Sequence, residues 1–305
     1  MSPLRTLLLM AVGVVAVSLS GPLMAAMVVP PLAIAFWRNG LATAALAPPV
    51  ATGRRTELTL VRGRTLRLVL CSGLVLAVHF GTWVTALKLT SVASATALVC
   101  LQIVFVVAWQ LLRGERFGPG VVVGLVLALA GVLVVSGVDL SLSSRALLGD
   151  LLAVVGGLGA AAYMIIGARA RQVVSTTTYT FVVYGTCAAT LLVACLVSGQ
   201  ALTGYPLGQW ALLVLVTATA QLMGHSVFNH LLATTSPVLV SLALLLEVPG
   251  ASLLAWAFFD RQPPLATLPG AALVLLGLAV VVRAGTVRRR VAAALEVGNV
   301  TDAGS

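Results

Sequence analysis

Apolar runs long enough to cross a bilayer recur ten times along this chain, at about 6–27, 31–50, 66–87, 91–112, 118–137, 147–168, 177–198, 209–231, 237–259 and 266–283. A helix needs about 20 consecutive apolar residues to traverse the hydrocarbon core, and unpaired backbone cannot face lipid. The expected fold is therefore an all-α integral membrane protein of ten transmembrane helices. Composition agrees. Only 9% of residues are charged and 60% are hydrophobic, where a soluble chain carries about 25% charged residues. The first 27 residues, with Arg5, "LLLMAVGVVAV" and "AAM", have the form of a signal peptide. Nine more oily runs follow, so the first is expected to stay as a span.

Net charge is +10, which in a soluble chain would point to nucleic acid. Here no basic stripe is interleaved with aromatics, so nucleic acid is not an expected partner. Basic residues instead report topology, because they gather in cytoplasmic loops. With a cytoplasmic N-terminus, fourteen arginines fall inside, including Arg54, Arg55, Arg62, Arg64 and Arg67 of the longest loop. Only Lys88, Arg145 and Arg261 fall outside, and Arg38 lies within a span. Both termini are expected in the cytoplasm. Cys71, Cys100, Cys187 and Cys195 lie in apolar runs without metal-type spacing and read as packing residues.

The chain also repeats itself. Aligning "LTSVASATALVCLQIVFVVAWQLLRGERF" (89–117) with "TTSPVLVSLALLLEVPGASLLAWAFFDRQ" (234–262) sets Thr90 against Thr235, Gln102 against Glu247 and Glu115 against Asp260. The first repeat is expected at 1–140 and the second at 145–285, with a cytoplasmic tail at 286–305. Five spans per half reverse the second half, so the repeats should be inverted, a recurrent plan of secondary transporters with the site near the midplane.

On "AFWRNGLATAAL" (35–46), "LLRGERF" (111–117), "GDLLAVVGGLGAAAYMIIGARA" (149–170) and "LLLEVPGASLLAWAFFDRQ" (244–262), the chain resembles the EamA-type family of the drug/metabolite transporter superfamily. The resemblance covers about residues 5–285. It implies a ten-span carrier without cofactor and with a central cavity, often an exporter of amino acids, metabolites or drugs. One departure stands out: Val248 intervenes between Glu247 and Pro249, where the family often places Pro directly after the glutamate.

Polar residues inside spans mark the candidate site, because a charge at the bilayer centre is costly. Glu247 reads as the only acid within a span, with Glu57, Asp139 and Asp150 assigned to loops. It is either a protonatable group on the transport path or a neutral carboxyl bonded between helices. Pro249 should free the carbonyl of Leu245 and kink the helix. Thr217, Gln221, His225 and Asn229 recur every four residues, so they line a wet cavity or glue helices together. His230 ends that span and should be interfacial. His79 with Trp83 is either a packing pair or part of the site, and Gln102 offers a neutral amide that donates and accepts. Arg38 lies about 10 Å in from Pro31 by helical rise; it either snorkels to the outer interface or supplies the cavity's positive charge. The small residues of "GGLGAAA" (156–162) allow close helix approach and are not a nucleotide loop.

The expected function is a secondary transporter, an exporter, moving a small solute across the cytoplasmic membrane. Protons or solute exchange would drive it, since no Walker motif is present. Its partners would be the solute, the lipid bilayer and protons, with a homodimer left open. A channel or scaffold is the alternative. A membrane-embedded enzyme fits less well, because paired carboxylates, an HExxH metal site and a nucleophile with its base are missing from the sequence. Arg38 favours a carboxylate-bearing solute, and Glu247 a cation or proton coupling.

Overall fold

The computed structural model describes residues 2–137, 143–259, 268–270, 272–281 and 283–284. The polar tail and positions 139, 260 and 261 lie outside the described residues. Every regular element among the described residues is helical. Seven helical stretches are long and apolar enough to cross a membrane: Leu4–Ala26, Gly63–Ala86, Val92–Leu112, Ser144–Ala170, Thr176–Ser198, Leu207–Leu231 and Pro237–Phe258. Two shorter apolar helices, Pro119–Val134 and Leu268–Val281, and the helix Pro31–Gly53 fall on the remaining three apolar runs of the sequence. Large apolar side chains such as Leu7, Leu8, Leu196 and Val197 remain exposed on the outside of the bundle, as the bilayer solvates them in place of water. The protein is a multi-pass membrane protein.

Helix starts follow local chemistry. Serine hydroxyls accept the orphan amides at the N-termini of α5 (Val92–Val99), α8 (Ser144–Ala170), α9 (Thr176–Ser198) and α12 (Pro237–Leu244), from Ser91, Ser143, Ser175 and Ser236. Proline opens α1 (Pro3–Ser18), α3 (Pro31–Gly53) and α12. Gly199 closes α9 at φ 66°, a left-handed position that suits glycine.

Several spans are interrupted. The first breaks at Leu19 between α1 and α2 (Ser20–Ala26). The fourth breaks at Cys100–Leu101 between α5 and α6 (Gln102–Leu112), and the ninth at Leu245–Leu246 between α12 and α13 (Glu247–Phe259). The eighth runs as α10 (Leu207–Val216), a π-helical stretch Thr217–His225, and α11 (Ser226–Leu231). The halves also match in register. From Pro31 to Thr176 is 145 residues, and the same offset maps α3 onto α9, α5 onto α12 and the start of α6 onto that of α13.

The halves interlock. α8 packs along α4 (Gly63–Ala86) and against α5 and α6, while α1 packs on the π-helical stretch and α13. Like meets like elsewhere: α3 lies along α9, and α7 (Pro119–Gly137) crosses the Leu268–Val281 helix at Gly124 and Gly277, where a Cβ on Gly124 would stand 2.6 Å from the Gly277 carbonyl. Two sequence expectations need correction. Asp150 is not in a loop but lies within α8, beyond its first turn. The carbonyl of Leu245 is not freed by Pro249 either. It accepts Val248 N–H at 3.3 Å, because Pro249 sits in the first turn of α13, where a missing donor costs the helix nothing.

Candidate functional site

The small-residue face of α8 sets the site. A Cβ at Gly159 would stand 3.0 Å from the amide of His79, and one at Gly156 3.1 Å from Cβ of Trp83. Only glycine lets α8 sit this close to α4. The approach brings the Gly156 carbonyl to 2.9 Å from His79 Nδ1, which fixes the ring. His79 then stacks on Trp83 at 5.7 Å and 15°.

On the same face, Gly157 meets the break in the fourth span: a Cβ there would be 2.8 Å from the Val99 carbonyl. Around Leu101 the hydrogen bonds shorten to i→i+3, with Leu101 N–H on Leu98 O and Val104 N–H on Leu101 O. The ninth span does the same around Leu245, with Leu245 N–H on Leu242 O and Leu246 N–H on Ala243 O. Such tight turns inside long helices commonly mark hinges. The breaks touch: the Cys100 thiol lies 3.5 Å from the Leu244 carbonyl. A cysteine expected only to pack therefore ties one break to the other.

Between the breaks and the eighth span lies a cavity with about 40 Å³ of space for water-sized occupants, lined by residues of both halves. That is room for a few waters. Six residues singled out from the sequence line it: His79, Trp83, Gln102, His225, Asn229 and Glu247. The pseudo-repeat is visible in the wall, where Trp83 answers Phe228, Val99 answers Leu244, and Gln102 answers Glu247 at the same offset. Among the described residues, neither the Glu247 carboxyl nor the Gln102 amide has a hydrogen-bond partner, and the Trp83 N–H is buried without one. The described residues hold no cluster of His, Cys, Asp or Glu suited to a metal ion.

Arg38 and Gln221 lie beside this cavity rather than in its wall. Arg38 is 0% exposed, so it does not snorkel. Its Nε donates to Gln221 Oε1 at 2.8 Å and its Nη1 to Ser20 Oγ at 3.1 Å, and its guanidinium covers the Phe80 ring at 4.1 Å. Gln221 Nε2 donates in turn to Asn39 Oδ1 at 3.0 Å. Phe80 abuts His225 edge-on at 5.2 Å, which links this polar cluster to the cavity.

Toward the other end of the eighth span, Tyr163 OH donates to Asn229 Oδ1 at 2.8 Å, and Arg171 Nε donates to the Asn229 carbonyl at 3.0 Å. Arg171 also donates to the Val174 carbonyl and, at 2.8 Å, to Thr176 Oγ1. Burial lowers its pKa from the ordinary arginine value. His230 meets Thr176 Oγ1 at 3.2 Å at this end. Thr217, the outermost residue of the stripe, turns back on its own helix and donates to the Leu213 carbonyl.

Asn39, Tyr163, Arg171 and Tyr184, whose hydroxyl accepts from Asn229 Nδ2 at 3.4 Å, were not singled out from the sequence. Asn39 stands beside Arg38 in "WRNG", a second polar residue in an apolar run, and that was a usable signal. The tyrosines were not legible, since one such residue in a span packs as readily as it binds.

A model of the EamA-like transporter family matches the chain twice, over residues 4–137 and 147–283. The chain belongs to that family. It is therefore a membrane transporter of the drug/metabolite type, as the sequence resemblance implied. A solved crystal structure of a protein superposes with a TM-score of 0.75 at 20% identity, over 95% of this chain and 99% of that one, which supports the fold. No curated protein matches.

Proposed function

We propose that this EamA-family protein is a secondary transporter of the cytoplasmic membrane, exporting a small solute by alternating access with protons as the coupling ion. In this reading the chain crosses the membrane ten times, its two five-helix repeats are inverted, and both termini are cytoplasmic. One observation carries it. Two helices broken at equivalent positions meet at Cys100 and Leu244, and each restarts on a polar residue facing one cavity, Gln102 in the first half and Glu247 in the second.

About 40 Å³ is far too little for an amino acid or a drug, so a solute enters only when the halves part. Breaks with i→i+3 turns are where the helix halves can swing. Glu247, the acid in the wall, would take its proton in one access state and yield it in the other; Gln102 gives the first half hydrogen bonding without charge.

The test is transport by the purified protein in proteoliposomes across labelled amino acids, nucleosides and lipophilic cations, with and without a pH gradient. Glu247→Gln keeps shape and hydrogen bonding but cannot ionise. It should insert normally, lose pH-driven net flux and keep solute exchange. Wild-type pH-driven flux in this variant would remove the coupling role.

A further inference from the structure

We propose that the solute carries an oxyanion, a carboxylate or phosphate group, and that Arg38 is its counter-ion. This rests on the transporter reading and adds the chemical class of what is carried. A guanidinium with no exposed surface is expensive unless it is paired. Among the described residues no carboxylate lies within ion-pair distance of Arg38. Its neighbours are an amide, a hydroxyl, a thioether and the face of Phe80. These solvate the charge without neutralising it.

The clamp is also built. Gln221, Asn39 and Ser20 are each no more than 1% exposed, and Asn39 Oδ1 fixes the Gln221 amide so that its oxygen, not its nitrogen, meets Arg38. With Nε and Nη1 held, the guanidinium cannot rotate, and Nη2 is left with no partner. A second buried donor lacking a partner, the Trp83 indole N–H, stands in the cavity wall. Trp83 stacks on His79, and His79 adjoins Phe80 at 4.7 Å. Two orphaned donors thus stand on either side of one ring pair. A planar guanidinium amino group is suited to a carboxylate or phosphate oxygen.

The informative substitution is Gln221→Glu. It sets a carboxylate where an amide oxygen now lies 2.8 Å from Arg38 Nε, giving the protein its own counter-ion. Labelled lactate, glutamate and glycerol 3-phosphate would be tested beside isoamylamine, glucose, uridine and chloride, by counterflow in proteoliposomes and by equilibrium binding in detergent. The expected result is that the solutes that bind or move are oxyanions. Gln221→Glu should then bind them at least about tenfold more weakly, the loss of one charge-assisted hydrogen bond. Arg38→Lys, which keeps the charge but loses the fork, should fall between. Movement of isoamylamine, glucose or uridine alone would keep the transporter reading and overturn this one, as would binding of chloride alone. Oxyanion binding unchanged in Arg38→Lys, or in Gln221→Glu where that variant folds, would overturn it too. If no solute binds or moves, both readings fall together.

Discussion

Gly157→Ala tests whether the break in the fourth span is held by contact with α8. A Cβ at this position would meet the Val99 carbonyl at 2.8 Å and the Gln102 amide and Leu98 carbonyl at 3.4 Å. All three are backbone atoms, so no side chain can swing aside, and α8 or the break must move by roughly half an ångström. Forcing one extra methyl into a packed interior costs about 1–3 kcal/mol. Replacing glycine in a helix returns about 1 kcal/mol, which leaves a net loss of about 0–2 kcal/mol. Gly40→Ala is the control, since the same helix gain applies there and its Cβ would meet only the Phe36 ring, at 3.9 Å. Thermal unfolding in detergent should put Gly157→Ala a few degrees below Gly40→Ala, at about 2–4 °C per kcal/mol. Transport should fall in Gly157→Ala alone, because the displaced atoms carry Gln102. Equal midpoints for the two variants, or wild-type transport in Gly157→Ala, would refute the argument.

Glu57 bridges the halves on the side assigned to the cytoplasm, accepting from the Ser175 amide and hydroxyl at 2.5 Å each and the Thr178 hydroxyl at 2.6 Å. Partial burial raises its pKa, but these hydrogen bonds and Arg54 outweigh it and hold the carboxyl below its usual range. A depressed carboxyl stabilises the fold above its unfolded pKa of about 4.3 and loses that contribution as pH falls through the folded value. The unfolding midpoint of wild type should therefore exceed that of Glu57→Gln near pH 7 and converge with it below about pH 4; a pH-independent gap would contradict this. Arg171→Ala removes donors from three acceptors around the Asn229 end of the cavity and should lower the midpoint by several degrees, whereas exposed Arg113→Ala should not. For topology, a cysteine at exposed Thr203 should react with an impermeant thiol reagent on intact cells and one at exposed Thr59 should not; the reverse pattern would invert the orientation.

The spans were legible because lipid imposes one rule on every residue of a crossing, and a rule applied some twenty times in succession leaves a strong trace. The observed stretches begin and end within a few residues of the apolar runs, as at Thr176–Ser198 and Pro237–Phe258. The repeat was legible for a related reason: Gln102 and Glu247 follow matching serine-capped starts at Ser91 and Ser236. The break itself was placed on the wrong cause. Pro249 suggested a kink near the Leu245 carbonyl, and the helix does part there, at Leu245–Leu246. The fourth span breaks at the corresponding place with no proline nearby. Packing of α8 glycines against the backbone is a tertiary cause, and single-chain spacing does not encode it.

The eighth span shows how a pattern can be read correctly and still not give a destination. At 3.6 residues per turn, a four-residue spacing drifts about 40° per step, so Thr217, Gln221, His225 and Asn229 should spiral off any one wall. The stretch from Thr217 to His225 is π-helical, and Ser226 N–H reaches back to the Gln221 carbonyl. A wider turn holds residues four apart closer to one line, which keeps the stripe facing the interior. Along that line the neighbours differ: Gln221 meets Arg38, His225 meets Phe80, and Asn229 meets Tyr163 and Tyr184. The stripe is thus three stations rather than one surface: a cation clamp, an aromatic layer and a tyrosine-lined end. In the oxyanion reading, a solute held at the first station would have to displace the Phe80–His225 layer to reach the third. That layer adjoins His79 and Trp83 on one side and the clamp on the other. Widening or narrowing it should change the rate of passage more than the affinity at Arg38, so a Phe80→Leu variant that weakens binding and flux equally would argue against a layer that gates.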